Sequence, residues 1–254
     1  MTMNTLRIHL LEIKYEFLKL LRLPAYSLPT LLFPIIFYVF FGLVFGARQG
    51  AGMSMATYLL ATYGAFGVIG ASLFGFGVVV ATERGQGWLQ VKRTTPMPFS
   101  AYFIAKIAMA MLFSAIIVLS LLLLGVSLGG VHITIGSALL LLAVLVAGSL
   151  TFSALGLAIG YFAGPNSAAP MVNLFYLPMS FLSGLWVPIW ALPKPIQTIA
   201  FFLPPFHFSQ LALKAIGGGR GSVSMHVLAM LIATAVFLGI AYAGYRRDEG
   251  KQFG

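Results

Sequence analysis

Apolar runs long enough to cross a lipid bilayer recur along the whole chain, and they leave it few folds to choose from. Five of them, 27–46, 58–81, 104–128, 135–162 and 225–245, read clearly as spans, and a sixth, 168–187, is broken by prolines. Each offers the ~20 residues needed to cover ~30 Å of hydrocarbon. The composition agrees, with 60% hydrophobic and 8% charged residues and a mean hydropathy of +0.99. A soluble domain carries about 25% charged residues. A globule so poor in charge cannot clothe its surface in polar groups, so lipid must cover part of it. The expected fold is an all-α membrane protein of six transmembrane helices in a single domain, 1–254.

The formal charge of +10 would suggest nucleic acid in a soluble protein, but the placement of the charges matters more than their sum. Six crossings put Arg7, Lys14, Lys19, Arg22, Arg84, Lys92, Arg93, Lys106, Arg246, Arg247 and Lys251 on one face and only Arg48, Lys194, Lys214 and Arg220 on the other. The positive-inside rule then sets both termini and the loop 83–98 in the cytoplasm. All five acids, Glu12, Glu16, Glu83, Asp248 and Glu249, fall on that same side. The lack of cysteine excludes disulfides and thiolate metal sites. No secretory signal peptide is expected, because the first apolar run begins near Ser27 behind a charged segment and ends without a small-x-small pattern.

Residues 4–22 have helical period, with Leu6, Leu10, Ile13, Phe17, Leu20 and Leu21 as an apolar stripe and Arg7, Glu12, Glu16 and Lys19 off it. Such a helix lies in the membrane interface, and Pro24 and Pro29 turn the chain into the bilayer after it. Small faces, at Gly156 and Gly160 and along Gly64, Gly67, Gly70, Gly75 and Gly77, let helices approach closely, most simply within one subunit. The segment 188–213 is too apolar for a solvated loop and too rich in proline for a span. Short helices dipping into the outer leaflet satisfy both demands, with Trp186, Trp190 and Phe206 near the headgroups.

Ionisable groups are missing from the middle of every span; Lys106 sits near an inner end, where it can snorkel. Ion-coupled carriers usually keep such a group at depth in spite of its cost, so the energy for vectorial work must come from elsewhere. The chain has no GxxxxGK[ST] phosphate cradle, since Gly217-Gly218-Gly219-Arg220-Gly221 lacks the following Lys-Ser/Thr. The inner surface offers one distinctive feature, Glu83-Arg84-Gly85-Gln86-Gly87-Trp88-Leu89-Gln90-Val91-Lys92 running on to Thr95-Pro96. A short helix there, held between two spans, can pass a push from a cytosolic partner into both.

With the basic amphipathic start, Pro34 in the first span, this Glu-Arg loop and the stretch from Phe181-Leu182-Ser183-Gly184-Leu185-Trp186-Val187-Pro188 to Leu203-Pro204-Pro205, the chain resembles the ABC-2 type transporter permeases. These are the membrane subunits of type V ABC exporters. Glu83, Arg84, Gly87, Leu89 and Thr95-Pro96 match the family's loop; Gly85 and Gln90 stand where acids are common, and Trp88 replaces a threonine. The resemblance implies a permease in the bacterial inner membrane, paired with a second copy in preference to a different partner. It implies docking of a separate cytosolic ATPase on the Glu83–Lys92 helix. ATP and Mg would be used by that ATPase, with no cofactor, metal or nucleic acid bound by this chain. Outward movement of drugs, lipids or glycolipids would follow, as in multidrug resistance. Phe66, Asn173, Phe175, Tyr176 and Ser180 are candidate lining of the substrate path. Two other classes compete: an uncoupled carrier or channel, and an intramembrane protease in which Gly70-Ala71-Ser72 resembles a rhomboid serine loop with His207 or His226 as base. A serine on a glycine-rich face is expected to be a packing residue.

Overall fold

The computed structural model describes residues 5–44, 49–50, 53–95 and 97–252. Asn4, Gly46, Arg48 and Pro96, which figure in the expected interfacial helix, first span, outer charges and inner loop, lie outside the described residues.

Helix α1 (Thr5–Leu21) is the expected amphipathic helix, but both of its faces are used. Leu6, Leu10 and Leu21 are exposed, as a lipid-facing stripe requires, while Glu16 and Leu20 are buried on the side packed against α6 (Phe99–Ser127). Pro24, suited to a first helical turn because it lacks an N–H, starts α2 (Pro24–Phe37), which runs on through a wide π turn, Tyr38–Leu43. Pro34 sits inside α2 against Gly67, where an added Cβ would lie 2.5 Å from the proline ring.

Helix α3 (Met55–Leu73), capped by the Ser54 hydroxyl, passes through a second π turn, Phe74–Val78, into α4 (Val79–Gly85). Together they form one crossing of 31 residues at the centre of the bundle. Small residues let α2, α6, α7 (Ile135–Phe162) and α10 (Pro204–Ala215) all reach α3. On α7, a Cβ at Gly156 would stand 3.2 Å from the Gly77 nitrogen, and one at Gly160 3.2 Å from the Gly77 oxygen. Both small faces therefore serve packing within the chain.

Five helices among the described residues are long and apolar enough to cross a membrane. The remaining apolar helix, α8 (Ala168–Leu182), has 15 residues, or about 22 Å at ~1.5 Å per residue. It stops short of the expected end at 187 because the backbone turns at Gly184, whose φ is +77. The segment 188–213 then folds as a single 3-10 turn, α9 (Lys194–Ala200) and most of α10, the last buried against α3, α7 and α11 (Val223–Gln252). Apart from a two-residue ladder pairing Gln49–Gly50 with Met53–Ser54, the described secondary structure is helical.

Candidate functional site

Helix spacing puts Glu12, Glu16 and Lys19 on one face of α1, and that face meets the C-terminal end of α4, the helix α5 (Trp88–Arg93) and the N-terminal end of α6. Glu16 accepts from Lys19 at 2.8 Å and from Lys106 of α6. Glu83 of α4 accepts from Lys19, from Lys106 at 3.0 Å and from the Tyr102 hydroxyl at 2.7 Å. Two carboxylates thus neutralise two ammoniums. Burial works against the charge on Lys19, but the Glu83 and Glu16 carboxylates outweigh it and raise its pKa. Alongside, Lys92 of α5 pairs with Glu12 and lies 4.9 Å from the Tyr102 ring centre. Lys106 does not snorkel: it is 0% exposed, because two carboxylates from other elements reach it and it need not find water.

Arg84 also turns inward. Its guanidinium donates to the Tyr161 and Ala163 carbonyls at 2.6 and 2.7 Å and pairs with Asp248 of α11 at 3.1 Å. It thereby satisfies carbonyls left open at the end of α7. The helix expected over Glu83–Lys92 is divided: Glu83, Arg84 and Gly85 belong to α4, Gln86 and Gly87 form a turn with φ +76 at Gly87, and only α5 lies free of the span. Leu89 packs with Phe76, Val80 and Tyr102, whereas Gly85, Gln86, Trp88 and Gln90 are exposed. Trp88 and Val91 are each 53% exposed, and Trp88 also lines the mouth of the neighbouring cavity.

Above this cluster lies a cavity of about 1150 Å³. Its rim carries Glu12, Glu16, Lys19, Glu83 and Lys92, and its deeper wall Phe37, Phe66, Tyr176 and Trp186. Phe66 stacks on Tyr176 with ring centres 4.8 Å apart, and Tyr176 donates to the Phe66 carbonyl at 3.0 Å. Of the candidate path residues, Phe66, Asn173 and Tyr176 reach the cavity wall. Phe175 faces outward from α8, and Ser180 is buried, donating to the Tyr176 carbonyl at 2.6 Å. Trp186 packs on Phe37 and Phe66, and its indole nitrogen is buried without a hydrogen-bond partner. Phe206 is likewise buried, with Ile189 and Leu192; the turn at Gly184 carries this stretch back over the bundle.

Ser72 is buried with no hydrogen-bond partner for its hydroxyl, and His207 and His226 bond to each other and to backbone carbonyls. No Ser-His pair forms among them. The profile of the ABC-2 type transporter family matches residues 10–216. Over 204 residues the chain is 28% identical to the Bacillus subtilis (strain 168) protein named "Putative transport permease YvfS", covering 80% of this chain and 83% of that one.

Proposed function

The chain belongs to the ABC-2 type transporter family as a multi-pass membrane permease, and from that premise we propose that a separate cytosolic ATPase drives it to move an amphiphilic or hydrophobic substrate outward. The cavity carries this reading, because its polarity is graded: ionic at the inner rim, aromatic in its depth. An amphiphile such as a drug, lipid or glycolipid would set its polar head among Lys19, Lys92 and Glu12. Its apolar part would lie against Phe66, Tyr176 and Trp186, gaining about 25 cal/mol per Å² removed from water.

ATP and Mg remain with the partner, which docks on the outward face of α5 at Trp88 and Val91. A displacement of α5 passes through Lys92 to Glu12 on α1, and through the shared Glu83–Lys106–Glu16 contacts to α4 and α6. The helices α2 and α3, which wall the cavity, are continuous or nearly so with α1 and α4. A second copy completes the transporter, with α8 as the fifth of six crossings and both termini at the cytoplasmic face of the inner membrane.

The test uses the permease co-purified with its ATPase in lipid vesicles. Trp88→Ala with Val91→Ala should cut substrate-stimulated ATP hydrolysis by about tenfold, as loss of an aromatic anchor at an interface does. Asn173→Trp, on the exposed cavity wall, should block transport while the complex still assembles. Unaltered hydrolysis and transport in both variants would remove the proposal.

A further inference from the structure

His207 and His226 face each other beneath the loop that joins α10 to α11, and the transport reading makes no use of them. Their Nδ1 atoms lie 2.8 Å apart. Their Nε2 atoms point the opposite way, His207 onto the Phe201 carbonyl at 2.8 Å and His226 onto the Arg220 carbonyl at 2.7 Å. A carbonyl oxygen only accepts, so each Nε2 must carry a proton, and the contact between the Nδ1 atoms needs one more. Three contacts require three protons, and two neutral imidazoles own two. We propose that His207 and His226 form a proton-binding site that holds one extra proton in common, an imidazolium donating to an imidazole, and that this proton clamps α10 to the first turn of α11.

The site is built for the purpose. His207 is 5% and His226 1% exposed. Gln210 of α10 accepts from the Arg220 amide at 2.7 Å and so fixes the loop that presents the Arg220 carbonyl. Gly219 and Gly221 take φ of +77 and +72 there; a Cβ would stand 2.9 Å from the Gln210 carbonyl in the first case and 2.9 Å from His226 Nε2 in the second. Only glycine suits both conformation and space.

The other titratable or charged side chains on the outer parts of the surrounding elements are Tyr58 and Tyr63 of α3, Lys194 of α9, Lys214 of α10 and Arg220 of the loop. The outer part of α7 supplies none, and every carboxylate in the sequence belongs to the inner end. Among the described residues nothing nearby neutralises the pair, so its charge rests on the two carbonyls and the shared contact. Burial, the largest influence, and a charge on His226 lower the His207 pKa overall, against the pull of the Phe201 carbonyl, so the extra proton is held by the hydrogen-bond geometry and not by His207 alone. A fourth proton, which would set two imidazoliums Nδ1 to Nδ1, is refused.

The sign of the pH dependence follows. An unfolded pair carries one extra proton on average at about pH 6.5, the ordinary histidine value. Above that pH the folded pair binds more protons than the unfolded one, and below it fewer. The clamp's contribution therefore peaks near that pH and falls on both flanks by at most about tenfold in the folding equilibrium per pH unit.

The full chain labelled with ¹⁵N-histidine in lipid nanodiscs tests the proposal by NMR. His9→Gln and His132→Gln, away from the pair, assign the remaining two rings by elimination. Those rings should share one charge across neutral pH and show a strongly deshielded bridging proton. Two neutral rings, two charged rings or independent titration near the ordinary value would each overturn it. Melting of the wild type and of the His207→Gln, His226→Gln double variant as a function of pH supplies the second arm. The difference between them should pass through a maximum, and a monotonic difference overturns the clamp. If the double variant fails to fold, the NMR result alone decides. Neither arm depends on transport, so failure here leaves the permease reading standing.

Discussion

At the scale of single residues, the inner cluster shows what a buried charge requires. Lys106 is held by Glu16 and Glu83, and removing one member of such a group leaves its partners charged and out of water, at a cost of about 3–5 kcal/mol. Lys106→Met should therefore lower stability by that order in detergent-solubilised protein. Adding Glu16→Gln should recover part of the loss, since Glu83 keeps Lys19. Purely additive effects in unfolding midpoints would show that the contacts are not coupled. The raised pKa of Lys19 gives a pH signature. A lysine whose folded pKa is raised contributes fully below its ordinary value of 10.5 and loses the contribution only as pH climbs through the higher one. Melting temperatures of the wild type and Lys19→Met should then stay a constant distance apart up to that ordinary value and converge above it. Sequence alone does not give this cluster. Lys106 and Glu16 stand far apart in the chain, and the helical period of α1 marks Glu16 as off the apolar stripe without saying that the opposite face is also packed. The absence of ionisable groups at mid-span, by contrast, is legible directly.

Elements were legible in proportion to how far local pattern decides them. The long helices α6 and α7 follow from apolar length, and α7 runs over the expected 135–162. The division of Glu83–Lys92 into α4 and α5 was not legible, because it depends on the backbone at Gly87 adopting φ +76, which a glycine permits but does not compel. An L residue there pays about 1–2 kcal/mol for the left-handed conformation. Gly87→Ala should lower stability by that amount and reduce substrate-stimulated ATP hydrolysis by the re-aimed α5; intact hydrolysis with intact folding would mean that the angle of α5 is unimportant. The contact between α7 and the π turn in the central crossing is tighter still. Gly160 has the Gly77 oxygen and the Val80 Cβ at 3.2 Å from any added Cβ, and neither can rotate away. Gly160→Leu should cost about 1–3 kcal/mol by overpacking, visible as a lower melting temperature, whereas Gly136→Leu, with open space around it, should not.

The molecule as a whole is ordered by where its charges are. Acids and most bases gather at one end of the bundle, and the cavity opens beside them, so the orientation in the membrane decides which compartment feeds the cavity. Orientation rests on the number of crossings, and α8 is the weak member. At 15 residues it needs the following turn through Leu185, itself fully buried, or local thinning of the bilayer to complete a passage. A chain without cysteine allows a clean measurement. Single cysteines at Ser137, Thr198 and Ser222 should react with an impermeant maleimide added to intact cells. Cysteines at Gln90 and Ser167 should react only after the membrane is opened. If α8 merely dips and returns, Thr198→Cys and Ser222→Cys will be protected together with Gln90→Cys. The C-terminal arginines would then lie outside, against the positive-inside asymmetry. The two outcomes differ at Thr198 and Ser222 alone, because every crossing before α8 is shared between them. Labelling at those two positions therefore fixes the number of passages, while Gln90→Cys, beside the charged rim, reports in either case the face from which an amphiphile reaches Phe66 and Tyr176.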